Sequence, residues 1–564
     1  MKLLLLTGSL SAAAASSSSR EYHEAGLLGT GLGGCGWSRC VNCTDAKGGP
    51  VVPCGPAHQQ CIADADKPTY AFHLADPTCD INDPNGPMHD PVHGLYHNFY
   101  QIHIAEDQGG AGNGPDWGHW VSKDFLHWAQ LPVAIWNDRY YDNSAIYTGS
   151  TTIVDGKPVM MYPGKCHGEC NGGKGGFTYV LVTPANASDP LYVEWTKDGE
   201  VGGKAFANPV VNATGDDPST AWKTADGEWR LIGNQGCAPE GGNPLYGSMD
   251  FASWYKIGCT TMMAGDCPSF FPLPKLTPGS AHYVGRHLRG GAPMPDHVHK
   301  SGGKGGDQTQ VGNWVDGKPG PAGTGTVGTW TLTPGSATQF LDKGKTHASK
   351  DFHDPVKQRQ IMWVWGTTRS GIQTIPRDMS YHPGTKQIVY APVEEMDALR
   401  GAVLDTKTNV ALGAGRPADL KTSSACDLQL VFSVPAAPCT ISVAVPGGAV
   451  FVHYVPPPAA GAASVDAATG AGDPWAVQVG AQGSSDSLLL LPDDKQLTLR
   501  LFLDGTVAEA YWMGGRVAMT VDTARATNAT VSATSAVTLI SASVFAMGDI
   551  HTTVDDVLAQ QVPH

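Results

Sequence analysis

The chain has 564 residues, and its 37 Lys+Arg against 52 Asp+Glu leave a formal net charge of −15. Such an acidic balance disfavours nucleic acid or an anionic membrane surface as a partner. Charged residues make up only 16%, Gly (70) and Pro (41) are abundant and hydrophobic residues hold at 41%, the blend of a turn-rich, all-β protein with apolar material for more than one core.

At the N-terminus, Lys2, the apolar run Leu3 to Leu6 and small residues from Ser9 to Ser19, with Ala-x-Ala choices at Ala12 to Ala15, have signal-peptide anatomy over 1–19. The run is too short to span a bilayer, and no later stretch reaches the roughly 18 apolar residues of a membrane helix. A soluble mature protein is expected, extracellular or vacuolar. Segment 20–68 is Cys-rich, with Cys35, Cys40, Cys43, Cys54 and Cys61 among 13 cysteines in all. Cys40 with Cys43, and Cys166 with His167 and Cys170, have spacings that suit either disulfides or zinc. The secretory leader favours disulfides and no metal. The odd total leaves at least one thiol outside an intramolecular pair. Asn42, Asn186, Asn212 and Asn528 head Asn-x-Ser/Thr acceptors that only a secreted chain can use.

Strand-like runs with Asp-Gly turns fill the middle. Asp155-Gly156 lies inside 151–162, Asp226-Gly227 inside 220–232, and Asp316-Gly317 follows Trp314, each a hairpin signal. Ser122-Lys123-Asp124-Phe125-Leu126-His127-Trp128 and Ser248-Met249-Asp250-Phe251-Ala252-Ser253-Trp254 share Ser-x-Asp-Phe-x-x-Trp at an interval of 126 residues. Two repeats of a sheet unit of about 63 residues give that interval, as in propeller blades. The Gly-rich stretch from Gly290 to Gly328 predicts long exposed loops, and its histidines (His297, His299, with His282 and His287 upstream) read as solvated. Residues 392–400 predict a short helix, 401–425 a linker, and 426–550 a β-sandwich built on alternating strands such as Asp427–Ser433 and Leu497–Leu503. Residues 551–564 are left as a tail.

The chemistry sits in a series of blocks. Asn82-Asp83-Pro84-Asn85-Gly86 alone is an ordinary turn, but Leu95 to Gln101, Trp117 to Trp128, Tyr147-Thr148-Gly149-Ser150, Asp216-Asp217-Pro218, Asp266-Cys267-Pro268-Ser269-Phe270-Phe271-Pro272, Lys345 to Phe352 and Gly371 to Arg377 follow in order. Asp504 to Tyr511 and Gly514-Gly515-Arg516 complete the series. These blocks, from about Tyr70 to Thr520, make the chain similar to glycoside hydrolase family 32, the β-fructofuranosidases. The resemblance implies a five-bladed β-propeller over 69–400 with the active site at its axis, then the sandwich. It also implies a retaining hydrolase of sucrose or short fructans that uses no cofactor.

By that resemblance Asp83 is the nucleophile, Asp217 the transition-state stabiliser and Asp266 the acid/base. Asn82, Gln101, Tyr147 and Thr148 hold the sugar, and Trp117 is a platform for it. Retention requires two carboxyl groups about 5 to 5.5 Å apart. Two positions depart from the pattern: Asp266 stands where the family has glutamate, and Asp216 where it has arginine. The shorter Asp266 sets a proton donor about 1 Å back, a shift that can cost on the order of 10²-fold. Strand alternation predicts that Asp216 faces away if Asp217 faces the axis; were both to face it, repulsion would raise one carboxyl pKa. Glu169 and Glu240 match no block and read as loop residues. A sugar-binding relative with impaired catalysis and a fructosyltransferase of the same chemistry are the alternative readings.

Overall fold

The computed structural model describes residues 69–76, 79–103, 114–212, 215–235, 237, 241–284, 294–303, 305–368, 371–457 and 474–560. The predicted leader, the Cys-rich segment, Asn42, His287 and Glu240 lie outside the described residues.

Five successive sheets of four or more strands, I to V, run from Asp80 to Pro392, and a two-stranded ribbon, Glu200–Val201 with Lys204–Ala205, precedes the last strand of sheet II in the chain. Sheet I is a meander of Asp80–Asp90, Leu95–His103, Asp116–Ser122 and Trp128–Ile135. Its first strand packs against Ser150–Val154 of sheet II on one side and Thr346–Asp354 of sheet V on the other, so it is the inner strand of its blade. Asp83 therefore belongs to a strand and not to a turn. Register shifts on either side of Pro84 and Asn85 bend this strand, because a proline cannot give the ladder an N–H.

The recurrent heptapeptide is one corner used twice. It joins the third and fourth strands of sheet I, and again Pro244–Ser248 to Tyr255–Cys259 in sheet III. In each copy the Asp carboxylate accepts two backbone N–H groups, Leu126 (2.9 Å) and His127 (2.8 Å) on Asp124, Ala252 (3.0 Å) and Ser253 (2.8 Å) on Asp250. Phe125 and Phe251 both take φ 62°. The copies lie two sheets apart, with sheet II between them, as the repeat interval requires. Asp155 and Gly156, at φ 49° and 78°, make the tight turn between Ser150–Val154 and Lys157–Cys166 that the Asp-Gly signal predicts.

Three expectations are corrected. Residues 297–303 and 306–316 are a paired hairpin of sheet IV, so the Gly-rich stretch is half strand. His299 is fully buried, its Nε2 3.1 Å from the Asn243 side-chain oxygen, and His297 stacks on Phe270; neither is a solvated loop residue. The stretch 401–425 is no linker, since Arg400–Leu412 pairs with Val537–Met547 and Ala418–Lys421 with Asn528–Ala533. Exposed polar residues on an edge strand disguise the first of these, because only one face of such a strand needs apolar side chains. The propeller ends instead at the 3₁₀ helix Glu394–Leu399, close to the predicted helix.

Two six-stranded sheets follow and form the sandwich, with one mainly aliphatic core between them that also holds Phe432, Tyr454 and Trp512. A second core, including Phe72, Trp363, Phe502 and Tyr511, spans both domains. The C-terminal helix Val554–Ala559 returns to sheet I, where Val557 packs with Leu95, Val121, Ala129 and Leu131. Among the described residues no helix is long and apolar enough to cross a membrane. Cys166–Cys170 and Cys237–Cys259 are disulfides, as the secretory reading expects of the first pair, while Cys267, Cys426 and Cys439 are free.

Candidate active site

The inner strand of sheet I delivers Asn82 and Asp83, and the paired strand Leu95–His103 delivers Gln101. The three are linked through side chains. The Asn82 amide donates to Gln101 Oε1 at 2.7 Å and to Asp83 Oδ1 at 3.1 Å, and the Gln101 amide donates to Thr148 Oγ1 at 2.7 Å. Thr148 in turn donates a short hydrogen bond to Asp83 Oδ2. Every donor of this ring points at the carboxylate or at a group that leads to it, so both oxygens of Asp83 are held in place. Gly86, three residues on, has φ +40° and its N–H bonds to Gly149 O at 3.1 Å; a Cβ there would lie 2.5 Å from Thr151 Oγ1. Only glycine lets sheets I and II approach closely enough to seat Thr148 on Asp83.

Tyr147 is half-buried, its ring edge-on to Phe177 at 5.6 Å. Trp117 differs from its expected role. It has no accessible surface, packs on Phe99 and Tyr162, and donates from Nε1 to Tyr147 O at 3.1 Å. It braces Tyr147 from behind and presents no ring face to a sugar.

Asp217 and Cys267 lie on connections between sheets, and both have left-handed backbones, φ 49° and 47°. Two non-glycine residues in this conformation mark strain held by the surroundings. The Cys267 N–H donates to Asp217 Oδ2 at 3.0 Å and its Sγ lies 3.5 Å from Asp83 Oδ2, so Cys267 ties the two carboxylates together. Burial first, then the charges of Asp217 and Asp83, push this thiol far up, leaving a neutral S–H that donates to Asp83. Two fully buried lysines hold the loops from below. Lys300 donates to Cys267 O and to Ser349 O (2.7 Å); Lys350 donates to Pro218 O (2.9 Å), which also accepts from Ser150 Oγ at 2.8 Å. Side chains from sheets I, II, IV and V thus meet around Asp83, Asp217 and Cys267 and the loops that carry them.

Asp216 does not face away. The loop carrying it is not a strand, and the left-handed turn at Asp217 cancels the alternation on which that expectation rested. Its carboxyl accepts from Gln235 Nε2 at 3.0 and 3.2 Å. Burial, then the charges of Asp217 and Asp266, raise its pKa well above the usual carboxylate range. Asp217 is pushed to about 6 by burial and by Asp266 and Asp83, against the pull of Lys350 and the Cys267 N–H. Asp266 is half-buried and accepts from Asn234 Nδ2 at 2.6 Å.

Sequence reading missed Asn234, Gln235, Lys300 and Lys350. Lys350 lies in a block that was noticed, and the signal available for both lysines was a lone cation inside an otherwise buried strand. Asn234 and Gln235 carry only the weaker signal of a polar pair where Trp229–Ile232 runs out. Glu169 lies on the surface and bonds Asn143, apart from this cluster.

Residues 73–392 match the glycosyl hydrolases family 32 N-terminal domain. Among curated relatives, a β-fructofuranosidase, insoluble isoenzyme 3, of Oryza sativa subsp. indica is 32% identical over 355 residues, covering 58% of this chain and 57% of its own length. A fructan 6-exohydrolase of Beta vulgaris is 31% identical over 414 residues, 67% of this chain and 63% of its own. The match thus spans about three fifths of the curated relatives' length. Among solved structures, fructan 1-exohydrolase IIa from Cichorium intybus aligns at TM-score 0.67 and 22% identity over 86% of this chain and 98% of its own, which supports the shared propeller-plus-sandwich fold. With the family's domain matched across more than half of its length, the chain belongs to glycoside hydrolase family 32.

Proposed function

We propose that the protein is a retaining β-fructosidase acting on sucrose or short fructans. The observation that carries this reading is the ring of Asn82, Gln101 and Thr148 around Asp83, two of whose members donate directly to its carboxylate. Asp83 attacks C2 of the fructosyl unit and forms an ester while Asp266 gives its proton to the departing glycosyl oxygen. Asp266 then takes a proton from water, the water oxygen attacks C2, and the Asp83 carboxylate is released. Asp217, held by the Cys267 N–H, accepts from ring hydroxyls as positive charge develops at C2. The relatives' names, a β-fructofuranosidase and fructan exohydrolases, support this chemistry. A relative named as vacuolar and the insoluble isoenzymes agree with a secretory destination, vacuole or cell exterior.

The test is fructose release from sucrose, inulin and levan by the purified protein. Asp83→Asn is expected to lower it by about 10³-fold or more. Fructose appearing in step with glucose from sucrose identifies a hydrolase, and an excess of glucose a fructosyltransferase. Sugar binding without release by the folded parent protein would replace this reading with the impaired relative.

A further inference from the structure

Asp266 is one methylene shorter than the glutamate of the family pattern, and the position that would carry an arginine carries Asp216. The proton donor thus loses reach and a neighbouring cation together. What the structure supplies instead is Asn234. It stands at the end of Trp229–Ile232 and is almost wholly buried. Its Nδ2 donates to Asp266 Oδ1 at 2.6 Å, and its Oδ1 accepts from the Gln235 N–H at 2.8 Å. The backbone N–H of Asn234 bonds Asp216 O at 2.7 Å, so the residue is fixed to the loop of the second carboxyl as well.

We infer that Asn234 is the positioning residue of the acid/base: it anchors Oδ1 of Asp266 so that the proton is carried on Oδ2. The inference rests on the fructosidase reading above. An amide N–H can only donate, so the oxygen it engages stays an acceptor in both protonation states of the carboxyl. A short side chain held at one oxygen has its other oxygen in one place. The backbone beneath contributes: Gly302 N–H bonds Asp266 O at 2.6 Å, an approach that leaves no room for a Cβ at Gly265, which would fall 1.7 Å from Gly302 O.

The experiment compares Asn234→Ala with the parent on two substrates by kcat/KM, which reports the step forming the fructosyl ester. Sucrose needs its leaving oxygen protonated; β-fructofuranosyl fluoride, whose leaving group departs unaided, does not. Expected is a loss of about 10²-fold on sucrose with less than about threefold on the fluoride. The alkaline limb of the sucrose pH profile is expected to move up in Asn234→Ala, because the variant takes a donor away from the carboxyl that gives the proton. Asn234→Asp, which keeps the volume and the acceptor for Gln235, is expected to move that limb in the same direction. Equal losses on both substrates, or an unmoved alkaline limb in both variants, would overturn the inference. A parent protein that turns over neither substrate overturns the fructosidase reading itself.

Discussion

Asp217 lies in a left-handed conformation, buried, between two other carboxyls and a buried lysine. Its folded value near 6 lies above the 3.8 of an unperturbed aspartate, so on raising the pH the unfolded chain releases this proton first. The contribution to stability is therefore full below pH 3.8 and declines through pH 6, by about 3 kcal/mol in total. Asp217→Asn keeps an oxygen for the Cys267 N–H and removes the charge. Its urea midpoint is expected to exceed that of the parent at pH 7 and to converge with it near pH 4, while fructose release is lost. A variant no more stable at pH 7 would show that Lys350 and the Cys267 N–H already offset the burial of this charge. At this scale the sequence blocks were informative for the residues that touch the carboxylates, since Asn82, Asp83, Gln101 and Thr148 do form one hydrogen-bonded ring. They did not single out Asn234, Lys300 and Lys350, whose partners lie far along the chain and whose local trace is no more than a lone cation in a buried strand or a polar residue at a strand end.

At the scale of the element, the corner between the third and fourth strands in sheets I and III shows how a short pattern carries geometry. One aspartate oxygen caps two N–H groups, and the phenylalanine that follows is buried at positive φ. Asp250→Ala frees both N–H groups, and a loss of about 1–2 kcal/mol is expected, with Asp250→Asn costing clearly less because an amide oxygen still accepts. Denaturant midpoints of the two variants check this; equal losses would assign the effect to the ion pair with Lys204, which the amide also removes. Such corners are legible because the whole motif lies within seven consecutive residues. The edge strand Arg400–Leu412 was not, because its exposed face reads as a linker, and the loop at Asp216 was misread because alternation was applied where one residue breaks it.

Across the whole molecule, the two domains are joined by buried charge. His73, from the propeller's entry segment, lies 2.9 Å from Asp504 and 2.8 Å from Glu509 of the sandwich, and Arg377 reaches Asp342 at 2.7 Å and Glu509 at 3.4 Å. Glu509 also accepts from the Ile375 N–H and from the Tyr511 hydroxyl, so its role is structural. Although burial opposes it, the hydrogen bonds and charges of Asp504 and Glu509 raise His73 to about 9. A raised histidine stabilises fully below pH 6.5, and that stability is lost as the pH climbs through 9. His73→Gln leaves the two carboxylates facing each other without their cation, and a loss of about 3–5 kcal/mol at pH 6 is expected. The gap to the parent should narrow by pH 10, as thermal unfolding across that range would reveal; a constant gap would mean that His73 acts by shape alone. The order of propeller and sandwich was legible from composition and blocks, but this junction pairs residues more than 430 positions apart, beyond the reach of any local signal.

The carboxylate of Asp504 also accepts the backbone N–H groups of Ala71, Phe72 and His73, across separations of 431 to 433 residues. The segment that leads into the first blade is therefore seated only after the sandwich strand Gln496–Asp504 exists. At the fastest rates of synthesis that delay is about 20 s, long compared with the formation of a single hairpin. During that interval Ala71, Phe72 and His73 lack the carboxylate that holds their N–H groups, and Phe72 lacks the Phe502 ring it packs on. The sandwich thus acts in assembly as the late fastening of the propeller, and a nascent chain cut short before residue 504 would leave apolar surface such as Phe72 uncovered beside the blade that carries Asp83.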